Sequence, residues 1–392
     1  MTAACISRSF RCLTIRRSVG SLLRGSWNER VLERTDCKEG RCLPVFRFNK
    51  AFNMGRKLKV FLNLQSGIMR GALPDVDGHE EQAQKLRNAR QLIKEQKKTL
   101  KFRERMISRL EYKLHHKEDF HVENKLRAKE WRGAGKPEPE VLPDFAIIGA
   151  QKAGTTFLYD RLTRHPCVKR AALKELHYFD RHFDRSIEWY RSQFPLPSWN
   201  EERTFITGEA TPDYLFHPHA ARRAAEVVPQ AQLIVVLRNP IDRAYSHYYK
   251  EVKRGSETLG FKEAIEAEEV RLRGEMDKML EDERYTSFNY EHFSYLCRGI
   301  YVDQLLRWSE FYSKEQMLIL KSEDLYGGTL DTLKLIQDFL HLPHWQPESR
   351  ALTKKSKRKY PQMNPAVRQQ LEEYFEPHNQ RLYEYLGVDL GW

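Results

Sequence analysis

Pro143-Asp-Phe-Ala-Ile-Ile-Gly-Ala-Gln-Lys-Ala-Gly-Thr-Thr-Phe-Leu-Tyr-Asp-Arg-Leu162 reads as three pieces. A buried strand runs from Phe145 to Ile148, a loop is bounded by Gly149 and Gly154, and a helix opens at Thr155-Thr156. A strand that turns through glycines into a helix N-terminus presents unpaired backbone N–H groups and the positive end of the helix dipole. That is a ready phosphate site, and Lys152 adds a full charge to it. The ATPase pattern G-x-x-x-x-G-K-[ST] carries its lysine after the second glycine, where it reaches the β- and γ-phosphates. Here Thr155 takes that place, and the lysine lies two residues before Gly154, beside the phosphate. This suits a nucleotide with one 5′-phosphate and a reactive group attached to it. The bland alternative is a strand–turn–helix whose glycines fall there by chance.

A second stretch, Gln232-Leu-Ile-Val-Val-Leu-Arg-Asn-Pro240, reads as a buried parallel strand. Open α/β sheets bind ligands at the C-terminal ends of their strands, and this strand ends in Arg238. A magnesium-holding strand of a nucleotide triphosphatase would end in Asp. An arginine instead forks onto a phosphate. Pro240 then starts a helix that carries Arg243 and Ser246.

Ile147-Ile-Gly-Ala-Gln-Lys-Ala-Gly-Thr-Thr156 resembles the 5′-phosphosulfate loop of sulfotransferases that use 3′-phosphoadenylyl sulfate (PAPS), of the carbohydrate and heparan-sulfate type. Arg238, Pro240, Arg243 and Ser246 match the R-x-P-x-x-R-x-x-S element of that family, and the resemblance runs from about Leu142 to Trp392. It implies an α/β fold, a P-loop-like three-layer domain around a central, mostly parallel sheet. It further implies sulfuryl transfer from PAPS, without a metal, to a hydroxyl or amine. The acceptor it favours is a glycan, with a small hydroxylated metabolite as the alternative. The 5′-phosphate would be held by Lys152, Ala153, Gly154, Thr155 and Thr156, and the 3′-phosphate by Arg238 and Ser246. Arg298 and Tyr301, in a G-x-Y-x-x-x-L-x-x-W-like helix, are further cofactor contacts on this reading. Lys357-Arg358 ahead of Pro361 would close over the phosphates, although the glycine of the family loop is missing.

Leu173-Lys-Glu-Leu-His-Tyr-Phe-Asp180 supplies the chemistry. Glu175 and His177 alternate with Leu176 and Tyr178, so an extended segment would point both polar side chains to one face. A carboxylate beside the reactive end of a nucleotide can deprotonate an acceptor hydroxyl. The resemblance makes Glu175 that base, with His177 beside it and Lys152 stabilising the charge that develops. Thr207-Gly-Glu-Ala-Thr-Pro-Asp-Tyr214 matches the family frame G-E-x-T-P-x-Y, but Ala210 stands where the heparan-sulfate enzymes carry a lysine. Two other readings compete: a P-loop kinase or NTPase, and a non-catalytic scaffold that binds anions.

The 392 residues carry a formal charge of +13, which suits anionic ligands. Lys85 to Arg132 holds 16 Lys/Arg against 7 Asp/Glu, so much of that charge is local. Over residues 80–132 proline is absent, and Leu86, Ile93, Leu100, Ile107 and Leu114 recur every seven residues. This predicts a long basic helix or weak coiled coil, able to self-associate. With few aromatics among its cations, it is not expected to bind nucleic acid. The organisation expected is an extension over 1–79, this helix over 80–132, a Gly/Pro linker over 133–142 and the sulfotransferase-like domain over 143–392. Residues 1–28 hold five arginines and no Asp or Glu. They read either as an organelle transit peptide or as sequence upstream of a start at Met54. Four of the six cysteines lie in the first 42 residues, so they form no disulfide framework. No run of 18 apolar residues occurs, so no transmembrane anchor is expected. A soluble cytoplasmic, organelle-targeted or Golgi location stays open.

Overall fold

Phe145–Gly149 (β1) is buried at every position, and a strand apolar on both faces needs cover on both. The computed structural model describes residues 76–200, 202–327, 329–346 and 360–392. In it β1 is the middle of a five-stranded sheet, with Val168–Arg170 (β2), Ile206–Ala210 (β3), Gln232–Leu237 (β4) and Met317–Lys321 (β5). The order is β2-β3-β1-β4-β5, and every pairing is parallel. The expected α/β architecture with a central parallel sheet is therefore present.

The strand order reverses at β1. The chain lays β2 and β3 on one side of it and β4 and β5 on the other. Such a reversal opens a crevice at the carboxyl ends of the strands. Three helices deliver the site. Thr155–Leu162 (α2) follows β1, Tyr178–Arg181 (α3) follows β2 and Pro240–Arg254 (α5) follows β4, after Ala220–Val227 (α4). Tyr159 of α2 donates to the Gly208 carbonyl of β3 and accepts from the Ala171 N–H. Trp308 of Tyr301–Ser309 (α6) is fully buried, and Arg381 of Pro365–Leu386 (α7) pairs with Asp303 at 2.6 Å.

Val76–Gly133 (α1) is one long helix. The chain divides into two compact units, up to Ile93 and from Lys94 onward. Leu86, Ile93, Leu100, Ile107 and Leu114 are all exposed along α1. Further on, α1 is anchored. Phe120 and Ala128 are buried, and Asn124 bonds both the Phe194 carbonyl and the Leu196 N–H. Trp131 donates to the Pro197 carbonyl and Arg127 to Ser198. No helix among the described residues is long and apolar enough to cross a membrane. The proposed transit segment and Met54 lie outside the described residues, as do Lys357 and Arg358.

Candidate active site

The loop between β1 and α2 is pinned from two sides. The Ala150 N–H bonds the Val236 carbonyl of β4, and the Ala153 carbonyl accepts from Ser322 just past β5. Lys152 (φ 74°) and Gly154 (φ 114°) both sit in the left-handed region. At φ 114° Gly154 adopts a backbone that residues with a Cβ rarely take, so glycine is required there for conformation. Leu158 is the first residue of α2 to bond back, to the Gly154 carbonyl. The N–H groups of Thr155, Thr156 and Phe157 are therefore left at the open helix end. Beside that end the rings of Phe157 and Tyr326 meet at 5.0 Å.

Arg238 lies at the end of β4 and donates to the Lys152 carbonyl at 3.2 Å. Its own carbonyl accepts from the Tyr301 hydroxyl at 2.8 Å. Asn239 then caps α5 by accepting from the Ile241 and Asp242 N–H groups, with Pro240 in the first turn. Ser246, two turns on, stands 3.4 Å from the Tyr360 hydroxyl. Arg243 between them is fully buried. One of its donors meets the Tyr295 carbonyl, while Nε and Nη1 have no partner among the described residues.

Glu175 and His177 do come together, but not on an extended strand. Both residues are left-handed, with φ 57° and 54°, and His177 leads directly into α3. The cause is Thr211. Its hydroxyl accepts from the N–H of Leu176 (3.1 Å) and of His177 (3.4 Å), and donates to the fully buried Glu209 at 2.7 Å. Tyr214 ties the next residue, accepting from the Tyr178 N–H and donating to Glu209; Tyr190 donates to the same carboxylate. Burial raises the Glu209 carboxyl above the usual range, against these three hydrogen bonds. Two left-handed non-glycine residues cost a few kcal/mol, and this buried network holds them.

The resulting line of groups is charged. Glu175 accepts from Lys174 at 2.8 Å and lies 3.7 Å from His177 Nε2, while His177 Nδ1 meets Asp180 at 2.8 Å. Burial opposes charge on His177, but Asp180 and Glu175 outweigh it and lift its pKa to about 9. Burial likewise opposes charge on Glu175, yet His177 and Lys174 hold its carboxyl well below the usual range. At neutral pH the pair is a carboxylate beside an imidazolium. Asp213 lies next to them, held down to about 2 by Arg298 despite its burial. Asp213, His177 and Asp180 place three donor atoms within 4.8 Å of one another. Arg298 and Gln151 already occupy Asp213.

The family profile described as "Sulfotransferase domain" matches residues 142–383. The chain belongs to the sulfotransferase family. It is 28% identical over 299 residues to mouse (Mus musculus) heparan sulfate glucosamine 3-O-sulfotransferase 6, covering 69% of this chain and 80% of that one. It is 30% identical over 278 residues to human heparan sulfate glucosamine 3-O-sulfotransferase 3B1, covering 64% and 65%. Among solved structures, a sulfotransferase from Alicyclobacillus acidocaldarius is 27% identical with a TM-score of 0.49, covering 64% of this chain and 98% of that one.

Sulfotransferases of this family take their sulfuryl group from PAPS, and the residues of this one fit such a group. An open helix end, Lys152 and Arg238 converge on one loop, and buried Arg243 keeps two donors without a partner among the described residues. Of the positions expected from sequence, Lys152, Ala153, Gly154, Thr155, Thr156 and Arg238 form one cluster, with Ser246 two turns along α5. Tyr301 is buried behind Arg238 and supports it. Arg298 is spent on Asp213, Ser294 and two carbonyls. Sequence reasoning missed Asp180, Thr211, Asp213, Phe157 and Tyr326. The Asp180 signal was there to read: His177 and Asp180 sit three residues apart in one short helical turn.

Proposed function

We propose that this sulfotransferase moves the sulfuryl group of PAPS onto a hydroxyl of a carbohydrate. The contact between Arg238 and the Lys152 carbonyl carries this reading, because it joins the two anion-binding elements into one site, while the adjacent Gln151 donates to Asp213, which lies against His177. PAPS supplies the sulfuryl group and departs as adenosine 3′,5′-bisphosphate (PAP). The loop N–H groups and Lys152 hold the 5′-phosphate end, and Arg238 and Ser246 hold the 3′-phosphate. Glu175 takes the proton of the acceptor hydroxyl as its oxygen bonds to sulfur. His177, fixed by Asp180, keeps Glu175 ionised and aimed. Lys152 offsets the negative charge that grows on the departing phosphate oxygen. Phe157 and Tyr326 give the adenine a wall to stack on. The carbohydrate acceptor is supported by the relatives, whose names specify heparan sulfate glucosamine. The catalytic domain on this proposal is 143–392, with the last turns of α1 anchored to it through Asn124, Arg127 and Trp131.

Calorimetric titration with PAP and with ATP tests the donor half. Metal-independent PAP binding in preference to ATP is expected; preference for magnesium-ATP would return the kinase reading. Transfer of labelled sulfate from PAPS to glycan hydroxyls, against phenols and amines, tests the acceptor half.

A further inference from the structure

Leu86, Ile93, Leu100, Ile107 and Leu114 recur one heptad apart on α1, and all five are exposed. Met106 and Leu110, also exposed, widen the same stripe. A heptad row of Leu and Ile on a soluble helix is a face that wants cover. The row ends at Leu114, because the next heptad position is His121, beside buried Phe120. From there α1 docks on residues 194–198 through Asn124, Arg127 and Trp131. A ridge about 42 Å long is thus left for another surface. We propose that it pairs with the same ridge of a second copy of this chain, as an antiparallel two-stranded coiled coil.

The charges beside the ridge set the direction. With the five apolar residues at heptad position a, position e holds Arg90, Lys97, Glu104 and Glu111, all exposed. Read along the helix, two cations are followed by two anions. In an antiparallel pair the e rows of the two helices face each other and run in opposite senses. Arg90 then meets Glu111 of the second copy, and Lys97 meets its Glu104. Two-fold symmetry repeats both contacts, so every facing pair is of opposite sign. In a parallel pair position e faces position g instead. Lys85 would lie beside Arg90, while Leu92 and Met106 would face Lys97 and Glu111.

The packing agrees with the charges. Position d holds Ala89, Gln96 and Leu110, a poor set on its own. In the same antiparallel register Leu114 covers Ala89, Ile107 covers Gln96 and Ile93 meets Leu110, so large residues alternate with smaller ones across the seam. Parallel strands would stack Ala89 on Ala89 and Gln96 on Gln96. Arg87 and Lys94 fall at position b, away from the seam, which keeps that part of the positive charge of α1 in solvent. The dyad lies next to Leu100, and the two Gly133 ends stand about 100 Å apart. The paired chains therefore carry their catalytic domains at opposite ends of a rod.

Sedimentation equilibrium of the full chain at micromolar concentration and physiological salt tests this without donor or acceptor, so its outcome is independent of the sulfuryl-transfer reading. A dimer is expected. Arg90→Glu/Lys97→Glu makes the e row wholly acidic, and Glu104→Lys/Glu111→Lys makes it wholly basic. Each double variant alone is expected to weaken the dimer about tenfold or more, and mixing the two should restore it. Circular dichroism checks that each remains folded. Where a reversal costs helix, the neutral double variant Lys97→Gln/Glu104→Gln is used instead and should weaken the dimer several-fold. A monomeric unaltered chain overturns the proposal. So do an acidic variant that dimerises as tightly as the unaltered chain or more so, a mixture that stays monomeric, and a neutral variant of unchanged affinity.

Discussion

The Arg238 guanidinium donates to the Lys152 carbonyl across 86 residues of sequence, at 3.2 Å. The residue that ends β4 thereby fixes the loop that follows β1, and the Tyr301 hydroxyl braces it from behind. Arg238 has two tasks, since it supplies a cation and shapes the loop that presents the other one. Its replacement by alanine should remove both. The expectation is PAP binding weakened by about 2–3 kcal/mol, or roughly 30- to 150-fold, by calorimetry. Unchanged affinity would place the donor elsewhere.

Glu175→Gln removes the proton acceptor but leaves the loop intact. Turnover should fall by about 10²- to 10⁴-fold, with PAP affinity unchanged. A loss of PAP binding that accounts for the whole effect would assign Glu175 to the donor site instead.

Thr211→Val keeps the shape and deletes the hydroxyl that accepts from Leu176 and His177. Leaving those N–H groups unpaired costs about 1–3 kcal/mol, and the segment relaxes from its left-handed conformation. Lower kcat at unaltered PAP affinity is expected, with Thr211→Ser restoring most of it. Equal loss in the serine variant would point to packing rather than to the hydrogen bonds.

His177 gives a pH signature. Its pKa rises from 6.5 to about 9 on folding, so the folded state favours the protonated form. The resulting stabilisation, on the order of 3 kcal/mol, is complete below about pH 6.5 and disappears as pH climbs through 9. Thermal melts between about pH 6 and about pH 10 should show that decline, and His177→Gln should flatten it. Activity should fall over the same alkaline limb.

A chain beginning at Leu142 loses the bonds from Asn124, Arg127 and Trp131 to residues 194–198. Its melting temperature should drop by about 5 °C, while PAP binding persists. Loss of PAP binding would mean that α1 shapes the donor site.

Local spacing made the loop after β1 and the end of β4 readable. Lys152 beside two glycines and Arg238 at the end of an apolar strand are each defined within ten residues, and both lie where that spacing predicts. The parallel sheet followed from β1 and β4 being apolar on both faces. The segment around Glu175 and His177 was not readable in the same way. Alternation along 173–180 predicted an extended segment, because nothing local reveals that the Thr211 hydroxyl captures two of its N–H groups. Asp213 and Arg298 are 85 residues apart and became a pair only through tertiary packing. The anchoring of α1 was hidden too: its charged residues dominate the pattern, while Asn124, Trp131 and only Arg127 among its cations hold residues 194–198.

The reversal of strand order at β1 has a mechanical meaning. The donor loop leaves the central strand, the segment bearing the base is tied to the β3 side, and Arg238 belongs to the β4 side. On the proposed function, a nucleotide gripped by the loop and Arg238, with an acceptor against Glu175, would work as a rivet through the seam between two halves of one sheet. The same molecule that delivers the sulfuryl group would then toughen the protein against prying apart, whether by heat, by a protease or by a pulling force.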